Sequence, residues 1–312
     1  MHRMASPSDR VRRRRPDRAR VVREAFRLGW RYGGRVPQPV VRAVAALAAR
    51  VVVARDDVHV RRLRENLTAV AGRPADARLL RLGIASYVRT FWEVLALPRW
   101  SPAEVVDRVE LVNGAVVHDA FATTGAVIAL PHSGNWDLAG AWACLTGMPV
   151  TSVAEQLGTE EFAAFLAFRE GLGMEILSHR APALVDTLVE HVVRGRLVCL
   201  MADRNFSGRG VEVDFAGHRV TMPAGPAQVA RRSGAALIPT VAHYGGEPLR
   251  RGAPMRLVIG PVVPAQPGDD GLAAMVQACA DFFASVLHEH PEDWHLLQPF
   301  FDLPTSTQVS AR

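Results

Sequence analysis

From Gly125 onward the chain alternates short apolar runs with stretches of helical period, and this rhythm constrains the fold more than any other feature. Val127–Leu130, Val150–Ala154, Met174–Leu177, Leu197–Ala202 and Ala236–Val241 read as strands. Leu138–Leu145, Glu160–Glu170, Pro182–Arg194 and Pro226–Ser233 read as the helices between them, with Arg256–Ile259 a late strand and Asp270–Glu289 a long closing helix. Strand–helix alternation of this kind predicts a layered α/β domain, because each strand must bury apolar side chains against a helix.

The region before Gly125 is helical in pattern. Ala25, Leu28, Trp30 and Tyr32, then Val40, Val41, Val44, Leu47 and Val51, fall at helical spacing, and Gly33, Gly34 and Pro37 separate two helices. Val58–Ala69 and Ala75–Leu97 continue the series. Ser101-Pro102-Ala103-Glu104 carries a helix-start pattern of serine cap, first-turn proline and glutamate at the third helical position. Glu110–Asn113 reads as a strand and Val117–Thr123 as a helix. The expected organisation is a disordered basic tail over 1–20, a single α/β domain over 21–303 with the N-terminal helices included, and a loose tail over 304–312.

At 312 residues and 49% hydrophobic composition the chain can bury a full core. All 37 lysine-plus-arginine positions are arginine, a compositional bias that weakens any single arginine as a functional clue. The net charge of +6 is unevenly spread: eight arginines crowd Arg10–Arg23, opposed only by Asp17. A basic face of this kind meets nucleic acid or an anionic bilayer. No zinc-finger spacing or RNA-recognition strand pair accompanies it, so no nucleic-acid partner is expected. Cys144, Cys199 and Cys279 are scattered in apolar surroundings and form neither a disulfide framework nor a metal site. No segment reads as a transmembrane helix: Val40–Val53 is short and interrupted by Arg42 and Arg50. The N-terminus lacks the apolar core of a secretory signal. A soluble or peripheral protein on the cytoplasmic side is expected.

Two polar strings sit where α/β folds place chemistry, just past strand ends. The first, LPHSGNWDLA over Leu130–Ala139, delivers His132 to a tight Ser133-Gly134-Asn135 turn, with Asp137 entering a helix. His132 is a candidate general base for a substrate hydroxyl, with Asp137 shaping its protonation; a histidine bonded only to backbone is the bland alternative. Without a G-x-S-x-G elbow, Ser133 is a poor nucleophile candidate. The second string, MADRNFSGRGVEV over Met201–Val213, offers Asp203 and Glu212 as orienting carboxylates, with Arg204 beside them, or else a surface loop with turn glycines. A third string, TMPAGPAQ over Thr221–Gln228, either presents backbone amides to an anion or forms a rigid turn. Arg169 closes the helix Glu160–Glu170, to bind phosphate or to favour the helix end. No H-E-x-x-H or Cys-x-x-Cys spacing appears, so no metal is expected.

These strings resemble a known family. HSGNWDLAG is similar to the H-x-x-x-x-D/E signature of glycerolipid-type acyltransferases, in the branch of the lipid A lauroyl and myristoyl transferases. Together with MADRNFSGRGVEVDFAG and TMPAGPAQVARRSGAALIPT, it looks most like the phosphatidylinositol mannoside acyltransferases of actinobacteria, over roughly Arg61 to Leu297. The resemblance implies a layered fold with a central, mostly parallel sheet flanked by helices and an N-terminal helical extension. By it, His132 matches the catalytic histidine and Asp137 the signature carboxylate. Asp203, or secondarily Glu212, matches a distant acid paired with the histidine. Ser133, Asn135, Trp136, Arg169 and Arg204 fall on the substrate side. The chain departs from the family at Asn205, where an acid is expected. No cofactor is implied. The co-substrate would be acyl-CoA, palmitoyl-CoA in the first instance, and the acceptor a mannose of mannosylated phosphatidylinositol at the anionic inner face of the plasma membrane. The alternatives are another glycolipid or a lysophospholipid as acceptor, hydrolysis by the same His and Asp, and a non-catalytic basic membrane-binding protein.

Overall fold

A computed structural model describes residues 29, 32–155, 160–205, 210–245 and 254–301; the expected tails and the first part of the N-terminal helical region lie outside these. Among the described residues three α-helices lead: α1 (Gln38–Arg55), α2 (Val58–Ala71) and α3 (Ala77–Ala96). Asp57 and Asp76 cap α2 and α3 by accepting bonds from backbone N–H groups of the first turn, donors that otherwise lack partners. Helix α4 (Pro102–Asp107) begins with the capping box read from the sequence: the Glu104 amide donates to Ser101 Oγ at 3.3 Å, and the Ser101 amide to Glu104 Oε2 at 2.8 Å.

The α/β layer follows. Its order is β1 (Val109–Val112), α5 (Gly114–Thr123), β2 (Ala126–Leu130), α6 (Trp136–Leu145), β3 (Val150–Ala154) and α7 (Glu160–Gly171). Next come β4 (Glu175–Ser178), α8 (Leu184–Val193), β5 (Leu197–Met201), β6 (Val211–Phe215), β7 (His218–Met222), α9 (Gly225–Ser233), β8 (Ala236–His243), β9 (Met255–Ile259) and α10 (Gly268–Glu289). Seven strands form one sheet in the order β1-β9-β8-β2-β5-β3-β4. All neighbours run parallel except β8 and β9. The expected architecture is therefore the observed one: a mostly parallel sheet, helices on both faces and a helical N-terminal extension.

Strand β2 lies at the centre, and its composition follows from being buried on both faces. Val127 and Ala129 face the layer of α8, α9 and α10, while Ala126 and Ile128 face α5 and α6. The leading helices make a separate apolar cluster around Leu63, Leu67 and Leu80. Leu80 is fully buried, so truncating it to alanine costs about 2–5 kcal/mol.

Two expectations are corrected. The surface loop with turn glycines, one of the two readings left open for Met201–Val213, does not extend past Gly210: Val211–Phe215 pairs antiparallel with His218–Met222. The turn between them has Ala216 at φ 51° and Gly217 at φ 79°, the left-handed pair that matches the twist of a hairpin. Val213 and Phe215 alternate inward while Glu212 and Asp214 face out. Likewise α10 is long and apolar enough to cross a bilayer by length and composition, which no segment was expected to be. Its apolar stripe is committed to the core: Met275, Val276, Ala280, Phe283 and Leu287 are buried.

Candidate active site

Strand register builds the site. Leu130 of β2 lies opposite Met201 of β5, and the Ala202 amide still donates to the Leu130 carbonyl at 2.7 Å. Two residues beyond these paired ends stand His132 and Asp203, so parallel pairing brings them to the same level. His132 Nδ1 is 2.6 Å from Asp203 Oδ1, and the His132 amide donates to Oδ2 at 2.8 Å. The indole N–H of Trp294 donates to the same Oδ2 at 3.0 Å.

Asp203 is fully buried. Burial pushes its carboxyl up, but the His132 charge, the two His132 hydrogen bonds and the Trp294 bond outweigh that and hold it below the usual aspartate value. An ionised Asp203 accepts the hydrogen bond from Nδ1–H and so leaves the imidazole lone pair on Nε2. The His132 side chain is 19% exposed, and among the described residues no hydrogen bond occupies Nε2. The edge of Trp136 packs against the ring, with centroids 5.6 Å apart.

The turn that carries His132 is fixed from below. Gly134 has φ +56°, and a Cβ there would lie 2.7 Å from Ala242 Cβ, so only glycine fits. Ser133 Oγ accepts from the Ala242 amide at 3.3 Å and is buried. Asn135 is also buried; Oδ1 caps α6 at the Leu138 amide (3.0 Å) and Nδ2 donates to Glu93 Oε2 (3.1 Å). These two side chains were expected on the substrate side, and they instead hold the turn to the core. Trp136 does face the cavity described below.

Asp137 was expected to shape the protonation of His132. It points elsewhere, because the first turn of α6 aims it at α7: Arg169 Nε donates to Asp137 Oδ1 at 2.6 Å. Both side chains are nearly closed to solvent, 12% and 3% exposed. Glu212 lies on the outer face of the β6–β7 hairpin, so Asp203 is the carboxylate bonded to His132. Arg204 follows Asp203 in the chain and is half-buried.

Sequence reasoning missed a second set of residues. Glu93 accepts from Arg89 Nε and from the Tyr244 hydroxyl, each at 2.7 Å, with the Arg89 guanidinium 3.7 Å above the Tyr244 ring. The Thr90 hydroxyl donates to the Gly134 carbonyl at 3.1 Å. A strap just after α10 closes over the turn. The Gly134 amide donates to the Asp293 carbonyl at 3.0 Å, the His295 amide to the His132 carbonyl at 2.8 Å, and Ser133 and Trp294 form a β-bridge. One signal was available for the first group: Arg89 and Glu93 put charges four apart among the apolar positions of α3. Nothing local marks the strap.

Beside the turn lies an apolar cavity of about 100 Å³. Trp136, Asp137 and Arg169 line it, as do Leu130 and Met201 at the strand ends, and its walls continue past Ile128 and Cys199 to Leu197 and Val150. From Met201 to Leu197 it follows β5 for about 13 Å at the usual rise per strand residue. On the helix side Gly140 permits close packing, since a Cβ there would sit 2.4 Å from Met174 Sδ. Cys199 and Cys279 have thiols pushed up to about 12 by burial, which leaves them protonated and unreactive.

A histidine held by a buried carboxylate, with no hydrogen bond on its second nitrogen among the described residues, can take a proton from a hydroxyl, and Leu130 and Trp136 on either side of it in the chain line the apolar slot. With Ser133 tied into the backbone, no covalent serine intermediate is built into the turn. Fold and site are those of an α/β enzyme with a His–Asp pair at the strand ends and an apolar slot near the turn. Residues 20–302 match the bacterial lipid A biosynthesis acyltransferase family, and the chain belongs to it; it is an acyltransferase. Over 296 residues it is 36% identical to a phosphatidylinositol mannoside acyltransferase of Mycolicibacterium smegmatis, covering 92% of this chain and 93% of that protein. Over 301 residues it is 38% identical to the protein of the same description from Mycobacterium tuberculosis, covering 92% of each chain.

Proposed function

We propose that the protein transfers a long-chain acyl group, palmitoyl in the first instance, from acyl-CoA to a mannose hydroxyl of phosphatidylinositol mannoside. The observation that carries the reaction is the Asp203–His132 pair; Leu130 and Trp136, which flank His132 in the chain, line the apolar cavity. The acceptor is carried by the two mycobacterial relatives. His132 Nε2 takes the proton of the mannose hydroxyl as its oxygen attacks the thioester carbonyl carbon. The tetrahedral oxyanion collapses, the C–S bond breaks, and the leaving CoA thiolate recovers the proton from the imidazolium. Asp203 stabilises that imidazolium throughout. The alkyl chain occupies the cavity. Met148, Met174 and Met201 line it, flexible unbranched side chains suited to an apolar ligand.

The acceptor is an anionic lipid, so the reaction belongs at a membrane surface, and we place it at the cytoplasmic face of the plasma membrane. Helix α1 suits that surface. Val40, Val44, Leu47 and Val51 recur along one stripe and are 48%, 58%, 63% and 42% exposed, while Arg50 and Arg55 are exposed on the same helix. Apolar side chains entering the acyl boundary beside arginines at the phosphates describe an interfacial helix. Each arginine near an acidic surface adds about 1 kcal/mol.

The test is a panel of acceptors with palmitoyl-CoA as donor: mono- and di-mannosylated phosphatidylinositol, an unrelated glycolipid, a lysophospholipid and water alone. The expected product, identified by mass spectrometry, is acylated mannoside. Exclusive acylation of another lipid would overturn the acceptor. Thioester hydrolysis alone, whatever the acceptor, would overturn transfer. Binding to anionic vesicles should weaken with salt, and salt-independent binding would remove the arginines from the surface.

A further inference from the structure

We propose that Trp294 is a positioning residue for the proposed base: its indole N–H holds the Asp203 carboxylate in place for His132. This rests on the His132–Asp203 reading of the site. Among the described residues Asp203 has three hydrogen-bond donors, two from His132 and one from Trp294. The two from His132 belong to the residue being oriented and cannot orient it independently. Trp294 is the donor anchored elsewhere.

That anchor is firm. Trp294 is fully buried, and its ring packs among Phe215, Phe300 and Phe301 at centroid distances of 5.6, 5.1 and 6.2 Å. Its backbone belongs to the strap that bridges Ser133 and receives the Gly134 amide through Asp293. One segment therefore fixes the turn carrying the base through its main chain and the carboxylate through one side chain. The distance from His132 to Asp203 is set by the strap as well as by strand register. Burial without this donor would leave a carboxylate oxygen satisfied only by the His132 amide, freer to rotate and easier to protonate.

His295 on the strap faces His132, and burial lowers it to about 3, so it stays neutral. Asp293 turns away to bond Ser86 and the Tyr244 amide. Arg204 is the chain neighbour of Asp203. Losing the Trp294 donor therefore acts first on Asp203, whose carboxylate becomes easier to protonate.

The experiment compares Trp294→Phe with an isosteric replacement by benzothienylalanine, which keeps the ring and removes only the N–H. Phe300→Leu loosens the same aromatic cluster without touching Asp203 and serves as the packing control. Turnover, KM for palmitoyl-CoA and the acid limb of the pH–rate profile are read for each. So is the far-downfield proton resonance of His132 Nδ1–H, which needs no acyl transfer and survives a wrong acceptor. Loss of one hydrogen bond to a charged group predicts about a tenfold fall in kcat with KM unchanged. The acid limb should move to higher pH and the resonance should shift in both Trp294 variants, with neither change in Phe300→Leu. An unmoved resonance and acid limb in the benzothienylalanine protein would overturn the proposal, whether or not the native protein acylates mannosides. If Trp294→Phe fails to fold, the isostere decides alone.

Discussion

Asp203→Asn isolates the electrostatic part of the mechanism, because it keeps the shape of the side chain and removes its charge. In the native protein the carboxylate oxygen lies 2.6 Å from His132 Nδ1 in a site closed to water. As the hydroxyl proton moves to Nε2, the imidazole becomes a cation about 4 Å from the carboxylate charge centre. At an effective dielectric of about 20 that attraction is worth about 4 kcal/mol, or about 1,000-fold in rate. The amide also offers its NH2 group as readily as its oxygen, which favours the wrong imidazole tautomer. The assay is initial-rate release of CoA thiol with acceptor present, alongside far-UV circular dichroism to match folding. The expected result is a fall in kcat of about 1,000-fold with little change in KM for acyl-CoA. Combining the variant with His132→Ala should add little further loss, since the two residues act as a unit. Asp203→Asn within threefold of native turnover would refute the pairing as the source of catalysis.

The other predictions concern neighbouring groups. Asp137→Ala leaves the Arg169 guanidinium without its 2.6 Å carboxylate in a nearly closed position and should cost about 3 kcal/mol of stability by urea unfolding; a loss below about 0.5 kcal/mol would mark the pair as solvent-screened. Gly140→Val places a side chain against Met174 at the cavity wall, so kcat/KM should fall for palmitoyl-CoA more than for octanoyl-CoA, and an equal fall would contradict the placement of the chain. Burial lowers His243 and His295 to about 3, so below about pH 6.5 unfolding takes up a proton at each and stability falls with acidification. Asp293, raised to about 7 by burial and then by Glu292, holds a proton that unfolding releases and opposes this between about pH 4 and 7. The net expectation is a loss of about 1.4 kcal/mol per unit from pH 6.5 to 4, read from urea midpoints; a flat profile would contradict it.

Much of the fold was legible because the signals are local. A strand buried on both faces must be apolar along its length, and Val127–Leu130 and Leu197–Leu200 show that on their face. The Ser101 capping box is a four-residue device and reads as one. The hairpin was harder: Val211–Phe215 carries two acids on its outer face, and the Gly208 and Gly210 before it read as loop. The site split along the same line. His132 and Asp203 stand at strand ends and were marked by position, but which carboxylate meets the histidine depends on β2 and β5 being neighbours in register. No spacing within the chain encodes that. Asp137 shows the converse, since closeness to His132 in sequence did not bring a bond to it. Trp294, Glu93 and Tyr244 reach the turn from distant segments, and packing alone assigns them.

The most direct test of the central claim is single-turnover transfer of radiolabelled palmitoyl from CoA to mannosylated phosphatidylinositol, native protein against His132→Ala at matched folding. Labelled mannoside is expected from the native protein, with a loss of at least about 1,000-fold in the variant. Transfer that persists in the variant at a comparable rate would contradict it, and would move the base to another residue.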